Sequence, residues 1–284
     1  MLTVPARPLG DDQRAAVERL LDQAPYAGAQ IAERVGVAGL DWWRREAAVL
    51  GYAPRGRLES VCWVGGNVVP VLAQPFAVAA FADLIADRPR PCSSLVGTAD
   101  AVLNLWERLI AEWGPARDVR AHQPLLVATA PPPIPADSRY RLVRPTEINQ
   151  LYPAAVAMYT EEVGVSPVAG LGDQSYRDRV ADLVHARRAY ARFHEGRVVF
   201  KAELAIVTRH TAQIQGVWTA PEWRGRGIAT TGVATVVADV LRRVAPSVSL
   251  YVNDYNDAAR RVYARCGFRQ VGEFATVLLG AAGG

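Results

Sequence analysis

Apolar and polar positions divide the chain into short β runs alternating with amphipathic helices. In the C-terminal half, Leu151, Ala155 and Met158 recur at helical spacing behind Thr146, which reads as an N-cap, and predict a helix from Thr146 to about Val163. Ser175–Arg188 reads as a second helix. Strand-like runs follow at Ala189–Phe193, Val198–Val207 and Ala212–Thr219, the first two joined at His194-Glu195-Gly196. A helix from about Gly227 to Arg243, a strand at Val248–Asn253, a helix at Asp257–Arg265 and a final strand pair ending near Leu279 complete the series. The order is mixed α/β, an antiparallel meander feeding a strand-helix-strand unit.

The N-terminal half repeats that order in weakened form. A helix at Asp11–Leu21 precedes a hairpin of Ala48–Tyr52 and Leu58–Val64, then a strand at Val68–Leu72, a helix at Phe76–Ala86, a strand at Cys92–Val96, a helix at Ala99–Trp113 and a closing strand at Leu125–Ala128. Between the halves, residues 131–135 read Pro-Pro-Pro-Ile-Pro, which forms neither helix nor central strand and makes an extended spacer. The expected organisation is a degenerate first domain over residues 1–130, a linker at 131–137 and a second domain over 138–284. A length of 284 residues fits two cores of ordinary size.

Composition narrows the chemistry. The chain has 32 basic and 28 acidic residues, a net charge of +4 that is too small and too interspersed to mark a nucleic-acid binder. Cys62, Cys92 and Cys266 are odd in number and lack metal-ligand spacing, and His122, His185, His194 and His210 form no ligand pattern, so neither a disulfide framework nor a metal site is expected. The stretch Val61–Ala82 lacks charged residues, yet Gly65, Gly66, Asn67, Pro70, Gln74 and Pro75 interrupt it as they would two strands and a helix start, which argues against a membrane span. The opening MLTVPARPLGDDQR has no apolar run behind a basic start, so a cytoplasmic protein is expected.

The candidate chemistry lies in Val217–Thr230, V-W-T-A-P-E-W-R-G-R-G-I-A-T: strand, proline-marked turn, two glycines among two arginines, and a helix start. Such a turn presents free backbone amides at a helix N-terminus, which suits a diphosphate. Gly225 and Gly227 remove Cβ atoms that would block close approach. The same residues also suit a surface turn that merely caps a helix. A dinucleotide fingerprint fits poorly, because Thr230 replaces the third small residue and the unit follows a meander instead of opening a parallel sheet. The first half has only Ala-Gln-Pro at the corresponding place, Ala73–Pro75.

Arg224-x-x-Gly227-x-Ala229 resembles the acyl-CoA loop of the GNAT N-acetyltransferase superfamily, and Asn256-x-x-Ala259-x-x-x-Tyr263-x-x-x-Gly267-Phe268 is similar to its second signature. The resemblance covers about residues 140–280, and the whole chain looks like actinobacterial proteins with an extra N-terminal domain before a GNAT domain. It implies an α/β fold with a mixed sheet and acetyl-CoA as co-substrate, without a metal. It further implies that Val217 and Thr219 pair with the pantetheine arm, that amides of Gly225, Arg226, Gly227, Ile228, Ala229 and Thr230 hold the pyrophosphate, that Asn256 touches the cofactor, and that Tyr263 faces the thioester sulfur. Trp218 would wall the acceptor groove, though an aromatic in a strand also suits a core.

As general acid, Tyr263 would protonate the departing thiolate, uphill by roughly 2 kcal/mol on reference values. The base is less plain. Gln213 stands where relatives often carry Glu, and an amide takes no proton. Glu203 on the preceding strand is the first candidate, its facing dependent on hairpin register near Arg209-His210, and Glu161 and Glu162 are candidates to hold a cationic acceptor; each glutamate also suits a solvated surface. Freeing a lysine-like amine at pH 7 costs about 4.6 kcal/mol against about 1 kcal/mol for an α-amine, which favours a low-pKa primary amine on a small molecule or peptide, attacking directly in a ternary complex. The alternative is an inactive acyl-CoA-binding sensor or scaffold. Cys266 sits at a helix C-terminus, where the dipole disfavours a thiolate nucleophile.

Overall fold

The computed structural model describes residues 5–40, 47–86, 90, 92–168 and 172–280. In chain order the elements are β1 (Ala6–Pro8), α1 (Arg14–Leu21), α2 (Ala29–Ala38), β2 (Ala48–Tyr52), β3 (Ser60–Val64), β4 (Val68–Val71), α3 (Pro75–Ala86), β5 (Ser94–Thr98), α4 (Ala99–Trp113) and β6 (Ala116–Ala128). They continue with β7 (Tyr140–Leu142), α5 (Ile148–Val163), α6 (Gly172–His185), β8 (Ala189–His194), β9 (Arg197–Val207), β10 (Ala212–Thr219), α7 (Ile228–Arg243), β11 (Val248–Tyr251), α8 (Asp257–Arg265) and β12 (Arg269–Leu279). The first four residues of the opening stretch lie outside the described residues.

Packing separates two units. The first comprises Met1–Leu125, Tyr251–Tyr255 and Gln270–Gly284; the second comprises Leu126–Leu250 and Asn256–Arg269. The expected boundary at 131–137 therefore differs from the packing in one large respect: the C-terminal strand lies with the first unit. There β12 runs antiparallel to β5, Phe274 opposite Thr98 and Leu278 opposite Ser94, within the order β1-β2-β3-β4-β5-β12-β6. Its alternation explains the placement. Ala275, Val277 and Leu279 join the core formed by Phe81, Leu105 and Leu109, whereas Phe274 joins Val17, Ile31 and Val49 on the other face. The expected final strand pair is thus one uninterrupted strand. The uncharged stretch at 61–82 supplies β3, β4 and part of α3, and no helix among the described residues is long and apolar enough to cross a membrane.

In the second unit β11, β10, β9, β8 and β7 lie side by side in that order, with β10 parallel to β11 and the rest of the meander antiparallel. The helix expected from Thr146 begins differently: Arg144 precedes a 3-10 turn at Pro145–Glu147, the Glu147 carboxylate accepts the Arg144 backbone N–H at 2.8 Å, and α5 starts at Ile148. Glu147 also receives both arms of Arg141 at 2.8 Å, which holds its carboxyl at about 2, and this double use makes it a stronger anchor than the Thr146 hydroxyl.

Helix α7 lies close to the sheet because Gly232 offers no side chain: a Cβ there would stand 2.5 Å from the Phe200 ring. Phe200 is fully buried, with Tyr140 packed edge-on at 5.3 Å, so it has no room to yield. Gly232→Ala is expected to cost about 1–3 kcal/mol by overpacking, despite alanine's better helix propensity, and urea unfolding of the variant measures it.

Candidate functional site

The turn between β10 and α7 is built by its glycines. Gly225 and Gly227 sit at φ +74° and +76°, and a Cβ at either position would meet nothing within 4 Å. Their requirement is thus conformational, and the space above them is open. Among the described residues, none of the N–H groups of Gly225, Arg226 or Gly227 bonds a protein acceptor, and the first bond closing α7 runs from Thr231 N–H to the Gly227 carbonyl at 3.1 Å. The amides of Ile228, Ala229 and Thr230 precede that bond, and Gly227 caps the helix with no side-chain bond. Six consecutive amides without a protein acceptor therefore lie at one helix N-terminus, a donor set that suits an anion. The Tyr140 hydroxyl fixes the helix start by donating to the Ile228 carbonyl at 3.0 Å. Arg226 stands 5.4 Å from the Trp223 ring centre, adding positive charge to the rim.

Arg224 points away from these amides. Its Nε donates to the Thr219 carbonyl at 2.9 Å and its terminal nitrogen meets Glu161 at 2.7 Å, while Trp218 Nε1 donates to the other Glu161 oxygen at 3.0 Å. A clasp thus joins the end of α5 to the end of β10, and Glu161 is already engaged by two donors. Thr219 contributes a buried hydroxyl without a bonding partner among the described residues.

Strand β10 is bulged beside the clasp. Gln215 pairs with Glu203 and Trp218 with Lys201, so Gly216 and Val217 together oppose Ala202 alone. Gly216 takes φ +57°, and a Cβ there would approach Lys201 Nζ at 2.9 Å, Met158 Cε at 3.0 Å and Glu203 Cδ at 3.2 Å. Beneath the bulge lies a buried polar cluster. One Glu203 oxygen accepts from Lys201 Nζ at 2.9 Å; the other accepts from Gln215 Nε2 at 2.9 Å and from an Arg179 guanidinium nitrogen at 3.3 Å. Burial pushes the Glu203 carboxyl up, but the charges of Lys201 and Arg179 and the bonds from Lys201 and Gln215 outweigh it and hold it below the ordinary carboxylate range.

Helix α8 brings the second group of residues. Asn256 is its N-cap, with Oδ1 accepting the Ala259 N–H at 3.1 Å, so the signature asparagine shapes the helix start and is exposed there. Tyr263 is buried and packs edge-on against Phe268 at 5.7 Å. Its phenol is pushed well above the ordinary range by desolvation first, then by the charges of Glu162 and Cys266. It is protonated at neutral pH and a weaker acid than a free tyrosine. The Cys266 thiol, buried against the Thr230 carbonyl at 3.4 Å, is raised to about 11 by burial, consistent with no nucleophilic role. The described cysteines are all free, and no cluster of His, Cys, Asp or Glu able to hold a metal occurs among the described residues.

Sequence reasoning missed the partners. The spacing gave Glu161, Glu203 and Arg224 separately, whereas the fold commits Glu161 to Arg224 and Trp218, and Glu203 to Lys201, Gln215 and Arg179. Lys201, the sole lysine of the chain, sitting two residues from Glu203 on one strand was the available signal.

Residues 150–268 match the model of the acetyltransferase (GNAT) family, and residues 47–151 match a domain of unknown function, DUF4081. Comparison with curated proteins gave no match. Among solved structures, a GCN5-related N-acetyltransferase from Sphaerobacter thermophilus is similar at 18% identity and TM-score 0.60, over 95% of this chain and 93% of that one. A tandem GNAT protein from the clavulanic acid biosynthesis pathway is similar at 15% identity and TM-score 0.57, over 98% of this chain and 99% of that one. A putative GNAT acetyltransferase from Novosphingobium aromaticivorans is similar at 20% identity and TM-score 0.54, over 90% and 97%. Residues 150–268 thus carry a match to the GNAT family, and the similar solved structures share the GNAT fold over almost the whole chain, including the first half. In that half, Leu72-Ala73-Gln74 joins β4 to α3 and supplies no glycine-rich turn.

Proposed function

We propose that the protein is an acetyl-CoA-dependent N-acetyltransferase that transfers the acetyl group to a primary amine by direct attack in a ternary complex. The run of six amides without protein acceptors at Gly225–Thr230 carries this reading: open, backed by a helix dipole and free of blocking side chains, it suits the coenzyme's pyrophosphate. Val217 and Thr219 on the bulged strand would hold the pantetheine arm, with Trp218 and Asn256 lining it. The coenzyme supplies an activated thioester. The amine lone pair would form the new C–N bond as the C–S bond breaks, Tyr263 would donate its phenolic proton to the sulfur, and the proton the nitrogen sheds on becoming an amide would pass through solvent to restore the phenol; burial raises the phenol, so this donation runs further uphill than reference values give.

Glu203 is the first candidate for the base on sequence grounds, and its surroundings argue for another role. Both oxygens are occupied by donors and the carboxyl is held ionised at low proton affinity, so it positions Lys201 and Arg179 instead of abstracting a proton. Without a strand carboxylate free to act, the acceptor must enter as free amine, which keeps the low-pKa primary amine of a small molecule or peptide as the expected class. The same observation favours the second reading, an acyl-CoA-binding sensor without turnover.

Thiol release from acetyl-CoA across a panel of primary amines tests the proposal, and binding without release would establish the second reading. Tyr263→Phe is expected to lower kcat about 10²- to 10⁴-fold, the usual range for losing a general acid, with coenzyme affinity nearly unchanged. Unchanged turnover removes Tyr263 from the mechanism.

A further inference from the structure

The cluster beneath the β10 bulge carries one more positive charge than it needs. Glu203 is only 5% exposed and already answered by Lys201, 1% exposed, at 2.9 Å. Arg179, reaching in from α6, is a second cation on the same carboxylate, at the longer distance of 3.3 Å and with its side chain 45% exposed. Among the described residues Glu203 is its only side-chain bonding partner, made through one nitrogen. A guanidinium presents five donors in a planar fork, so most of Arg179's capacity faces outward. Glu203 Cδ lies 3.2 Å from where a Gly216 Cβ would stand, which sets Arg179 one carboxylate away from the bulge. At the end of β10, by contrast, Glu161 is matched by Arg224.

We propose that Arg179 reads a carboxylate on the acceptor, so that the substrate class is a small amine that also bears a carboxylate. The Lys201–Glu203 pair holds the guanidinium root in place and leaves its outer edge to form a bidentate pair with the incoming anion, while the amine is directed to the bulge. Arg179 acts here as a specificity-determining residue. Glu203 limits its travel: a guanidinium tethered to a buried anion fixes the distance between the carboxylate and the reacting nitrogen, and so selects substrates by length. This inference rests on the acyltransferase reading, and its test is arranged to separate the two.

The test uses the full chain and the peptides from diglycine to tetraglycine, each beside its C-terminal amide, so that every acceptor presents an α-amine of pKa about 7.8 while the carboxylate moves away from it. Thiol release from acetyl-CoA gives kcat/KM for every compound, and calorimetry of the protein saturated with CoA gives binding of each acid independently of turnover. The expected result is an acid-to-amide preference of about 10- to 100-fold at the best chain length, collapsing toward 1 in Arg179→Gln and partly restored in Arg179→Lys. Turnover with equal rates for acids and amides overturns the inference and leaves acyl transfer standing. Acid binding that is lost in Arg179→Gln, with no thiol release from any compound, supports the inference and overturns acyl transfer. Neither binding nor release overturns both.

Discussion

Gly225→Asp is expected to abolish measurable coenzyme binding while leaving the fold intact. Position 225 has φ +74° and nothing within 4 Å of where a Cβ would stand, and aspartate is among the residues that tolerate the left-handed region. The substitution therefore places a carboxylate beside six amides without forcing a neighbour to move. Two unit charges about 6 Å apart at an effective dielectric of about 20 repel by roughly 2.8 kcal/mol, or about 100-fold in affinity, and a diphosphate carries more than one charge. The carboxylate would also occupy the amides itself, as a tethered competitor. Gly225→Asn is the matched control: it has the same shape and backbone preference without the charge, and its loss is expected to stay within about tenfold. Calorimetry with CoA on both variants reads the difference. Equal losses would show that the turn needs glycine for space above it, and that its charge is irrelevant.

That site was legible for a local reason. A glycine-bearing turn between a strand and a helix is encoded within a dozen residues, and α8 takes the bounds expected of it, Asp257–Arg265. The start of α5 was less legible, because its anchor is Glu147 gripped by Arg141 and the competing Thr146 differs only in lacking that partner. Helix α2, Ala29–Ala38, gave no expectation at all: Gly36 lies within it, and its stability comes from burying Ile31 and Val35 in the core. The destination of β12 and the pairing of Glu203 with Arg179 were not legible because both depend on strand register and on residues distant in sequence. Alternation tells that a strand is buried on both faces, but not between which neighbours it lies.

The cluster under the bulge is expected to matter as much for stability as for specificity. Glu203→Ala would strand Lys201, 1% exposed, as a buried cation with no carboxylate, and breaking such a pair costs about 3–5 kcal/mol. Replacing both partners, Lys201→Met with Glu203→Leu, removes the charge problem along with the attraction and should cost far less than the single change. Arg179 can turn to solvent in the double variant because its side chain is already 45% exposed. Denaturant unfolding of Glu203→Leu, Lys201→Met and the double gives a coupling energy, and additive losses would show that the pair is not coupled. The pH dependence has a definite sign. The Glu203 carboxyl is held below its unfolded value, so it binds fewer protons folded than unfolded; its contribution is complete above the unfolded value of about 4.3 and falls away as pH drops through the folded one. The parent should therefore lose stability more steeply than the double variant on acidification below about pH 4. Parallel curves would mean that the carboxylate is not what Lys201 and Arg179 hold in the folded state.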